Sequence, residues 1–521
     1  MATLVLATMN ARYSHASFGL RYLMANLGDL QPQAAMLEFD LQQRPLDVAE
    51  KILSRQPALV GLGVYIWNVS PLTEVASIIK RLAPEVCLII GGPEVSHEQE
   101  TQPICGIADF IITGEADLTF PALCRDLLAG KTPKGKTICS PPPDTSRIAL
   151  PYHLYTEEDV KNRVIYVEAS RGCPFTCEFC LSSLDQHLNR FPLENLLPAF
   201  QDLLDRGVQE FKFVDRTFNL SVPYSLKILE FFLQRYRPGL FLHFEMIPDR
   251  LPEPLREILR CFPRGALQFE VGIQTFNEKV AALISRKQHY QRTEENIRWL
   301  LKETGAHIHA DLIVGLPGED LASTAAGFDR LLALGPQEIQ VNPLKRLRGT
   351  PIIRHEQEWG LVFSPYPPYE ILRTRLIDFE TMQALRRFAR YWNLYGNSGR
   401  FRRSLPLIWS DGRSPFDSMW RFFTWIHATR GLTHGLSLES LAELLWQYLT
   451  GEAGMEPATA AAALIDDYQR DAARDLPLFL RPFAPESQWR PRAVSATSPR
   501  LPRQHRHAAK ETPTPPETGT P

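Results

Sequence analysis

The chain has 521 residues, of which 44% are hydrophobic and 22% are charged, and this length predicts about three folded domains. The formal net charge of −2 provides no overall field that would attract a nucleic acid or an anionic membrane. No apolar stretch approaches the ~20 residues of a membrane span, and the first residues lack the basic and long apolar segments of a signal peptide. We therefore expect a cytoplasmic protein with neither a membrane nor a nucleic acid as its partner.

Residues 1–140 alternate short apolar runs with amphipathic stretches, which predicts an α/β domain with a Rossmann-like or flavodoxin-like parallel sheet. Five strands are predicted, at 3–6, 35–39, 59–64, 87–90 and 110–112. Helices are predicted between them, at 18–27, 71–83 and 119–128.

Three loops that leave these predicted strands have the composition of ligand-binding loops. Their candidate residues are Ser14 and His15 in the first, Gly91, Gly92 and Pro93 in the second, and Gly114 and Glu115 in the third. Glycine lets a backbone approach a large ligand where a Cβ would collide. Gly-Gly-Pro is equally typical of a simple turn, and His15 equally suits a polar residue at a helix entry.

The most specific chemical signal is a cysteine triad with the spacing C-x-x-x-C-x-x-C at Cys173, Cys177 and Cys180. It follows a predicted strand at 164–169, so the cysteines lie on a loop at the end of a strand. Three thiolates so close together can hold three irons of a 4Fe-4S cluster and leave the fourth iron open. A zinc site, a redox pair and buried core thiols are the alternatives. Zinc would lack a fourth ligand nearby, and a disulfide would require an oxidising compartment.

Between residues 150 and 365, six strand-like runs alternate with amphipathic helices, which predicts a partial (βα)6 barrel. The predicted strands are 164–169, 210–214, 241–245, 266–272, 307–314 and 338–343. Reactive groups of parallel α/β folds gather at the carboxyl ends of the strands. Polar side chains recur at these ends, as a site there requires.

The cysteine loop, the aromatic Phe179 before its last cysteine and the barrel that follows resemble the radical S-adenosylmethionine superfamily. The resemblance implies that S-adenosylmethionine is bound by Phe179, Glu245, Gln274, Arg286 and Asp311. Their side chains suit such roles, because carboxylates and amides bind hydroxyl groups and arginine forks onto a carboxylate. Taken singly, each of them better suits a structural ion pair or a solvated helix end, and it is their occurrence together, in register after the cysteine loop, that favours binding.

This resemblance also implies an activity and its partners. The expected reaction is reductive cleavage of S-adenosylmethionine at the cluster to give a 5′-deoxyadenosyl radical. It would need a small-molecule substrate and an electron donor such as flavodoxin or ferredoxin. The motifs identify no catalytic residue beyond the three cluster ligands.

The N-terminal loops, lying ahead of such a barrel, are similar to the cobalamin-binding domain of cobalamin-dependent radical S-adenosylmethionine enzymes. This similarity implies that cobalamin is the ligand of the seven loop residues named above. The Asp-x-His-x-x-Gly motif that supplies a histidine to cobalt in other cobalamin proteins is absent. The implied reaction is methyl transfer to a substrate carbon. Radical cyclisation or rearrangement is one alternative, and a non-catalytic iron-sulfur redox sensor is another.

Residues 366–485 are predicted to form an α-helical domain, with helices at 372–391, 414–429, 437–448 and 456–471. This part is similar to an appended domain of unknown function. Its crowded arginines, among them Arg386, Arg390 and Arg403, suit either an anionic substrate or a solvated helix face with ion pairs. Residues 486–521 are rich in proline, threonine and basic residues and are predicted to be disordered.

Overall fold

A computed structural model describes residues 3–470, 475–489 and Arg506. It contains two six-stranded parallel sheets followed by a helical region, which confirms the predicted α/β class. No helix in these described ranges is both long and apolar enough to cross a membrane.

The first sheet has the spatial order β2-β1-β3-β4-β5-β6, with all neighbours parallel. Its strands are β1 Leu4–Asn10, β2 Ala34–Asp40, β3 Leu59–Gly63, β4 Cys87–Gly91, β5 Phe110–Thr113 and β6 Thr137–Cys139. The helices that join them are α1 Phe18–Ala25, α2 Pro45–Leu53, α3 Val69–Leu82, α4 Pro103–Ile107 and α5 Thr119–Leu128. The strand order reverses at β1, which leaves a crevice between the loops that follow β1 and β3.

Both faces of this sheet are apolar and covered. Along β1, Val5 and Ala7 pack into the core on the side of α2 and α3. Leu4 and Leu6 pack into a second core on the side of α1 and α5. The period of two between the faces is that of a strand buried on both sides.

The second sheet has the sequential order β14-β13-β12-β11-β10-β7 and is parallel throughout. Its strands, with the short antiparallel pair β8–β9, are β7 Ile165–Val167, β8 Ser170–Arg171, β9 Asn189–Arg190, β10 Glu210–Phe213, β11 Phe241–Met246, β12 Leu267–Gln274, β13 His307–Val314 and β14 Glu338–Pro343. Its helices are α6 Glu157–Asn162, α7 Leu193–Asp205, α8 Val222–Gln234, α9 Glu253–Cys261, α10 Glu278–Leu283, α11 Tyr290–Glu303 and α12 Leu321–Leu334. The order of the strands makes this sheet the predicted open barrel of six strands.

One face of the barrel sheet is apolar and the other is polar. Phe244 of β11, Phe269 of β12 and Ile308 of β13 pack in the main core. The residues between the apolar ones alternate onto the opposite face, where neighbouring strands bring polar groups into register: Lys212, His243, Gln268 and His307 in one row, and Glu245, Glu270 and His309 in the next. The concave side of the sheet is therefore lined by charged and hydrogen-bonding groups.

After the barrel the chain is mainly helical. Its elements are α13 Glu356–Trp359, β15 Val362–Phe363, β16 Ile371–Arg373, α14 Phe379–Tyr395, α15 Pro415–Arg430, α16 Leu438–Gln447 and α17 Pro457–Arg470. The first long helix begins later than predicted, because Leu372 belongs to β16 and Asp378 caps the helix through the backbone N–H of Thr381. Arg386 pairs with Glu370 at 2.7 Å, so this arginine lies in an ion pair.

The helical region also covers the edge of the barrel sheet. The side-chain amide of Asn397 donates to the carbonyl of Ile339 at 2.8 Å and accepts from its N–H at 2.9 Å. Asn397 thus makes the two bonds that a further strand would make to β14.

The predicted disordered tail falls mostly outside the described residues. Of residues 486–521, the structure describes 486–489 and Arg506, and Glu486–Gln488 form a short 3-10 helix. Sequence analysis also missed β6, whose three residues lie at the edge of the first sheet and are largely exposed.

Candidate functional site

The cysteine loop starts at a turn that requires glycine. Gly172 has a φ of +86°, and a Cβ at this position would lie 1.7 Å from the carbonyl oxygen of His187. The next residue, Cys173, donates its N–H to the carbonyl of Asp185 at 3.2 Å. The backbone thereby fixes the entry of the loop in a conformation that other residues would strain.

A cavity of about 1070 Å³ lies at the carboxyl ends of the barrel strands. All eight residues predicted for the cluster and for S-adenosylmethionine line it: Cys173, Cys177, Cys180, Phe179, Glu245, Gln274, Arg286 and Asp311. These residues are up to 138 positions apart in the chain, and the fold brings them to one place. What each of them binds stays a prediction.

The chemistry of the three thiols fits an iron-sulfur cluster. Cys173 is buried, and its burial, together with the smaller effect of the neighbouring thiols, raises the pKa of its thiol. A positively charged partner such as a metal is therefore needed to hold it as a thiolate. Within the described residues, no three His, Cys, Asp or Glu side chains are gathered as ligands of a single metal ion. In a 4Fe-4S cluster each thiolate binds a different iron, so the three thiols need not lie close enough together to bind one metal ion.

Gln274 and Arg286 are held in unusual positions beside the thiols. Gln274 ends β12 with a φ of +69°, at an irregularity in the pairing with β13, and its buried Oε1 has no hydrogen-bond partner. Arg286 Nη1 lies 3.5 Å from the Sγ of Cys177, and its Nη2 donates to the carbonyl of Gly272. A buried acceptor without a donor, in a wall that also carries a guanidinium, fits a ligand with polar and anionic groups such as S-adenosylmethionine.

Sequence analysis missed the partner of Glu245. Arg216, three residues after the end of β10, donates to both oxygens of Glu245, at 3.0 and 3.2 Å. The charge of Glu245 raises the pKa of Arg216, and burial raises the pKa of Glu245 itself. Arg216 lies among the polar residues that follow β10, and this position is the only feature of the sequence that could have identified it as part of the site.

A second residue that was not predicted, the carboxylate Glu270, lines the same cavity as Asp311. Burial opposes the charge on Glu270, but the hydrogen bond from His243 at 3.1 Å and the positive charge of His309 outweigh it and lower its pKa to about 2. Burial, followed by the charges of Glu270 and Glu245, raises the pKa of Asp311 well above its ordinary range. The cavity therefore holds two neighbouring carboxyl groups whose surroundings shift their pKa values in opposite directions.

The first sheet carries a cleft of about 850 Å³ at the carboxyl ends of its strands. Its lining is mostly apolar and contains six glycines: Gly19 of α1, Gly61 and Gly63 of β3, Gly91 of β4, and Gly92 and Gly114 of the loops. A Cβ at Gly91 would approach no atom more closely than 3.4 Å, and the same holds for Gly63. Packing between strands therefore does not require glycine at these two positions, and the missing side chains leave the cleft open for a ligand.

Gly92 is different, because its φ of +118° and the carbonyl of Val64, 2.3 Å from an added Cβ, both exclude a side chain. Together these glycines form a cradle that a Cβ would obstruct. The cradle fits the elongated organic tail of a cofactor such as cobalamin.

Four of the seven residues predicted to contact cobalamin lie outside this lining. The carbonyl of Ser14 accepts from the N–H of Val164 at 2.9 Å, and His15 Nδ1 lies 2.6 Å from Tyr166 Oη, so both join the first sheet to the start of the barrel. Pro93 opens a 3-10 turn, and Glu115 binds Arg171. Their role in binding cobalamin stays a prediction that these positions do not favour.

Arg171 connects the cleft to the cysteine loop. Its guanidinium pairs with Glu115 at 2.8 Å, Asp117 at 2.7 Å and Glu168 at 2.8 Å, and lies over the ring of Tyr22. Although burial disfavours its charge, these carboxylates raise the pKa of Arg171 well above the ordinary value. Arg171 and Glu168 line the cleft, whereas Cys173, two residues further on, lines the cavity.

A second connection runs from the end of the barrel to the loop after β4. Arg348 Nε donates to Glu94 Oε1 at 2.8 Å, and Tyr369 Oη donates to the same oxygen at 2.7 Å. Glu94 is buried two residues after Gly92. The glycine loop of the first sheet is thus fixed to the chain that follows β14.

A doubly wound sheet with a glycine-lined cleft, followed by an open barrel with three cysteines after its first strand, defines a cobalamin-binding radical S-adenosylmethionine protein. Family descriptions agree with this class along the chain. Residues 4–124 match the B12 binding domain, and residues 167–326 match the radical SAM superfamily.

Within that class, residues 357–495 match a domain described as a protein of unknown function, DUF4080. The chain belongs to the cobalamin-dependent radical SAM family and combines these three domains. Its domains imply a 4Fe-4S cluster, S-adenosylmethionine and cobalamin as cofactors.

Two curated relatives are methyltransferases by name. The chain is 26% identical to an uncharacterized methyltransferase of Pyrococcus horikoshii over 52% of its own length and 63% of the relative. It is 23% identical to the cobalamin-dependent radical SAM methyltransferase TokK of Streptomyces tokunonensis over 60% of its own length and 51% of the relative. The matches thus span about half to three fifths of the curated relatives.

Among solved structures, the fold is similar to that of the radical S-adenosylmethionine methyltransferase TsrM from Kitasatospora setae, with a TM-score of 0.59 and 16% identity. This likeness covers 82% of the chain and 96% of TsrM. At such identity it concerns the fold alone.

Proposed function

We propose that this chain is a cobalamin-dependent radical S-adenosylmethionine methyltransferase that transfers a methyl group to a carbon of a small-molecule substrate. The observation that carries the proposal is that residues 168–173 line both sites, with Glu168 and Arg171 in the cleft and Cys173 in the cavity. Two cofactors that share one wall are close enough to act on one substrate. The names of the distant relatives support the same reaction.

In this proposal the cavity residues orient S-adenosylmethionine against the cluster. Arg286 forks onto the methionyl carboxylate, and the free acceptor Gln274 Oε1 receives a hydrogen bond from the ligand. Glu245, fixed by Arg216, accepts from a ribose hydroxyl, and Asp311 forms a hydrogen bond to another polar group of the ligand. Phe179 provides an apolar wall.

The chemistry itself belongs to the cofactors, since a reduced cluster cleaves S-adenosylmethionine to a carbon radical and cobalamin carries a methyl group. The chain holds three irons through Cys173, Cys177 and Cys180 and excludes water from the cavity. In the cleft, the glycines admit the cofactor tail. No histidine motif is available to ligate cobalt, so we propose that cobalt is bound without a histidine ligand.

The test is anaerobic purification with cobalamin supplied, counts of iron and cobalt, and reduction in the presence of S-adenosylmethionine. We expect four irons and one cobalt per chain, and release of both 5′-deoxyadenosine and S-adenosylhomocysteine. 5′-Deoxyadenosine without S-adenosylhomocysteine would favour cyclisation or rearrangement. A loaded cluster that yields neither would overturn catalysis in favour of a redox sensor.

A further inference from the structure

Glu178 is a buried carboxylate in the middle of the cysteine loop, between Cys177 and Cys180. Its side chain is 3% exposed and is absent from the lining of the cavity. Three side chains contact it: Ser285 Oγ donates to Oε1 at 2.6 Å, His355 Nε2 lies 2.9 Å from Oε2, and Arg354 pairs with Oε1. None of the roles proposed for the residues of the cavity and the cleft explains this group of side chains around Glu178.

The backbone of Glu178 is bound on both sides as well. Its N–H donates to the carbonyl of Ile284 at 3.1 Å, and its carbonyl accepts from the N–H of Ile352 at 3.0 Å. Side chain and backbone therefore contact the same two segments, 284–285 and 352–355. One precedes Arg286, and the other follows the last barrel strand.

Ser285 shows that the first of these contacts holds a strained backbone. Its φ is +54°, which is uncommon for a residue other than glycine and persists only where the surrounding structure imposes it. The hydroxyl bond to Glu178 is such a restraint. The residue that follows is Arg286, whose Nη1 reaches the Sγ of Cys177.

We propose that Glu178 is the positioning residue of the cluster loop and that it fixes Arg286 relative to Cys177 through Ser285. This inference rests on the proposed function, because it assigns Arg286 to S-adenosylmethionine. Glu178 itself does not line the cavity. Its effect is to set the distance between the cluster ligands and the group that receives the methionyl carboxylate.

The chemistry of the contacts explains why a carboxylate is needed. Glu178 meets Ser285 from one segment and Arg354 and His355 from the other, and a carboxylate accepts from all three through its two equivalent oxygens while its charge pairs with Arg354. A glutamine has nearly the same shape but lacks this charge, and it has only one oxygen to accept hydrogen bonds. Glu178→Gln therefore tests the contacts with little change in volume.

The experiment compares the full chain with Glu178→Gln, Ser285→Ala and Ser285→Gly after anaerobic cluster reconstitution. Asp467→Asn is the matched control, since Asp467 is equally buried and binds Ser404 Oγ at 2.7 Å in the helical region. The measurements are iron content, the change that S-adenosylmethionine causes in the electron paramagnetic resonance spectrum of the reduced cluster, and the KM and kcat of S-adenosylmethionine cleavage.

We expect Glu178→Gln and both Ser285 variants to retain wild-type iron, to lose most of the spectral change and to raise the KM for S-adenosylmethionine at least tenfold. Asp467→Asn should respond as the wild type. Equal defects in Ser285→Ala and Ser285→Gly would assign the effect to the lost hydroxyl, as we infer, whereas wild-type behaviour of Ser285→Gly would overturn that assignment.

A wild-type spectral change and KM in Glu178→Gln would overturn the inference. Loss of iron from Glu178→Gln and from both Ser285 variants would also overturn it, because the residue would then serve assembly of the cluster. The proposed function fails separately. A wild-type chain whose cluster responds to S-adenosylmethionine without cleaving it would refute that function, and the spectral comparison of the variants would still decide the role of Glu178.

Discussion

The two parallel sheets have the same number of strands but a different strand order, and their sites differ accordingly. The first sheet reverses its order at β1 and buries both faces under helices. The space for a ligand is then restricted to the crevice at the strand ends. The second sheet runs in sequential order, so its helices cover one face and its concave face is left for polar groups.

The difference in connection explains the difference in chemistry between the two sites. The cleft is mostly apolar, and it is wide because glycines such as Gly63 and Gly91 place no side chain in it. The cavity is polar because charged side chains line it, among them Arg216, Glu270 and Asp311. The cleft of the first sheet therefore suits a large and mostly apolar group, and the cavity of the second sheet suits a small zwitterion bound next to a metal cluster.

The largest expected effect tests whether the two sites are independent. Cys177→Ala should abolish iron binding, because two thiolates hold a 4Fe-4S cluster poorly, and should leave cobalamin binding intact, because the first sheet has its own cores. Iron analysis and the visible spectrum of bound cobalamin measure the two. Cys105→Ala, which removes a buried thiol of the first domain, is the control. Unchanged iron in Cys177→Ala would refute the cluster assignment.

The next prediction fills the cleft. A Cβ at Gly91 has room, so Gly91→Leu should fold, place its side chain in the cleft and weaken cobalamin binding at least about tenfold, or about 1.4 kcal/mol. Equilibrium titration with cobalamin measures the affinity, and iron content should not change. Gly106→Leu is the matched control, since nothing lies within 4 Å of its Cβ. Wild-type affinity in Gly91→Leu would place cobalamin elsewhere.

A third prediction concerns the edge of the barrel sheet, which the helical region covers. Asn397→Ala would leave the buried N–H and C=O of Ile339 without partners and should lower the free energy of unfolding by about 2–4 kcal/mol. Urea denaturation measures the loss. The exposed Asn162→Ala, which loses one surface bond to Glu158, should change stability by less than about 0.5 kcal/mol. A loss as small as that of Asn162→Ala would show that the two hydrogen bonds from Asn397 to Ile339 do not stabilise the fold.

The smallest effect is a contrast in pH dependence between the two domains. Burial raises the pKa of Glu319 to about 7, although Thr275 and Ser323 donate hydrogen bonds to it. The folded barrel thus keeps a proton that the unfolded chain releases above pH ~4.5, so Glu319 reduces stability between pH ~4.5 and ~7 by up to about 1.4 kcal/mol per unit. Glu319→Gln should flatten this decline.

Glu38 of the first domain has the opposite sign. Burial opposes its charge, but the hydrogen bond and charge of Arg21 outweigh burial and lower the pKa of Glu38. Its contribution is present above pH ~4.5 and is lost as the pH falls, so Glu38→Gln should flatten the decline on the acid side. Denaturation of both variants against pH compares the slopes. Slopes of the same sign would contradict the assigned environments.

The strands were predictable where the local pattern is strong. The bounds of β13 and β14 agree with the alternation and length of their apolar runs, because buried strands carry that pattern along their whole length. The edge strand β6 has no such pattern, and its pairing with β5 depends on a neighbour distant in the sequence. The predicted start of α14 was wrong, because an apolar residue such as Leu372 suits a strand as well as a helix.

Part of the lining of the cavity was predictable, and its internal contacts were not. Spacing and strand-end position identify Cys173, Cys177 and Cys180, and the fold brings them to the same cavity as Arg286. The contact between Glu178 and His355 joins residues 177 positions apart and leaves no local trace in the sequence. The contact of His15 with Tyr166 was unpredictable for the same reason, because Tyr166 lies in the next domain, and the role of His15 in cobalamin binding stays a prediction.

Arg171 gives the two sites a common structural support. It belongs to the wall of the cleft and, through Gly172, to the entry of the cysteine loop. Three carboxylates hold its guanidinium, so a substitution at Arg171 would disturb the wall of the cleft and the start of the loop together. A change inside either site should therefore empty that site alone, whereas a change at this one residue should weaken both.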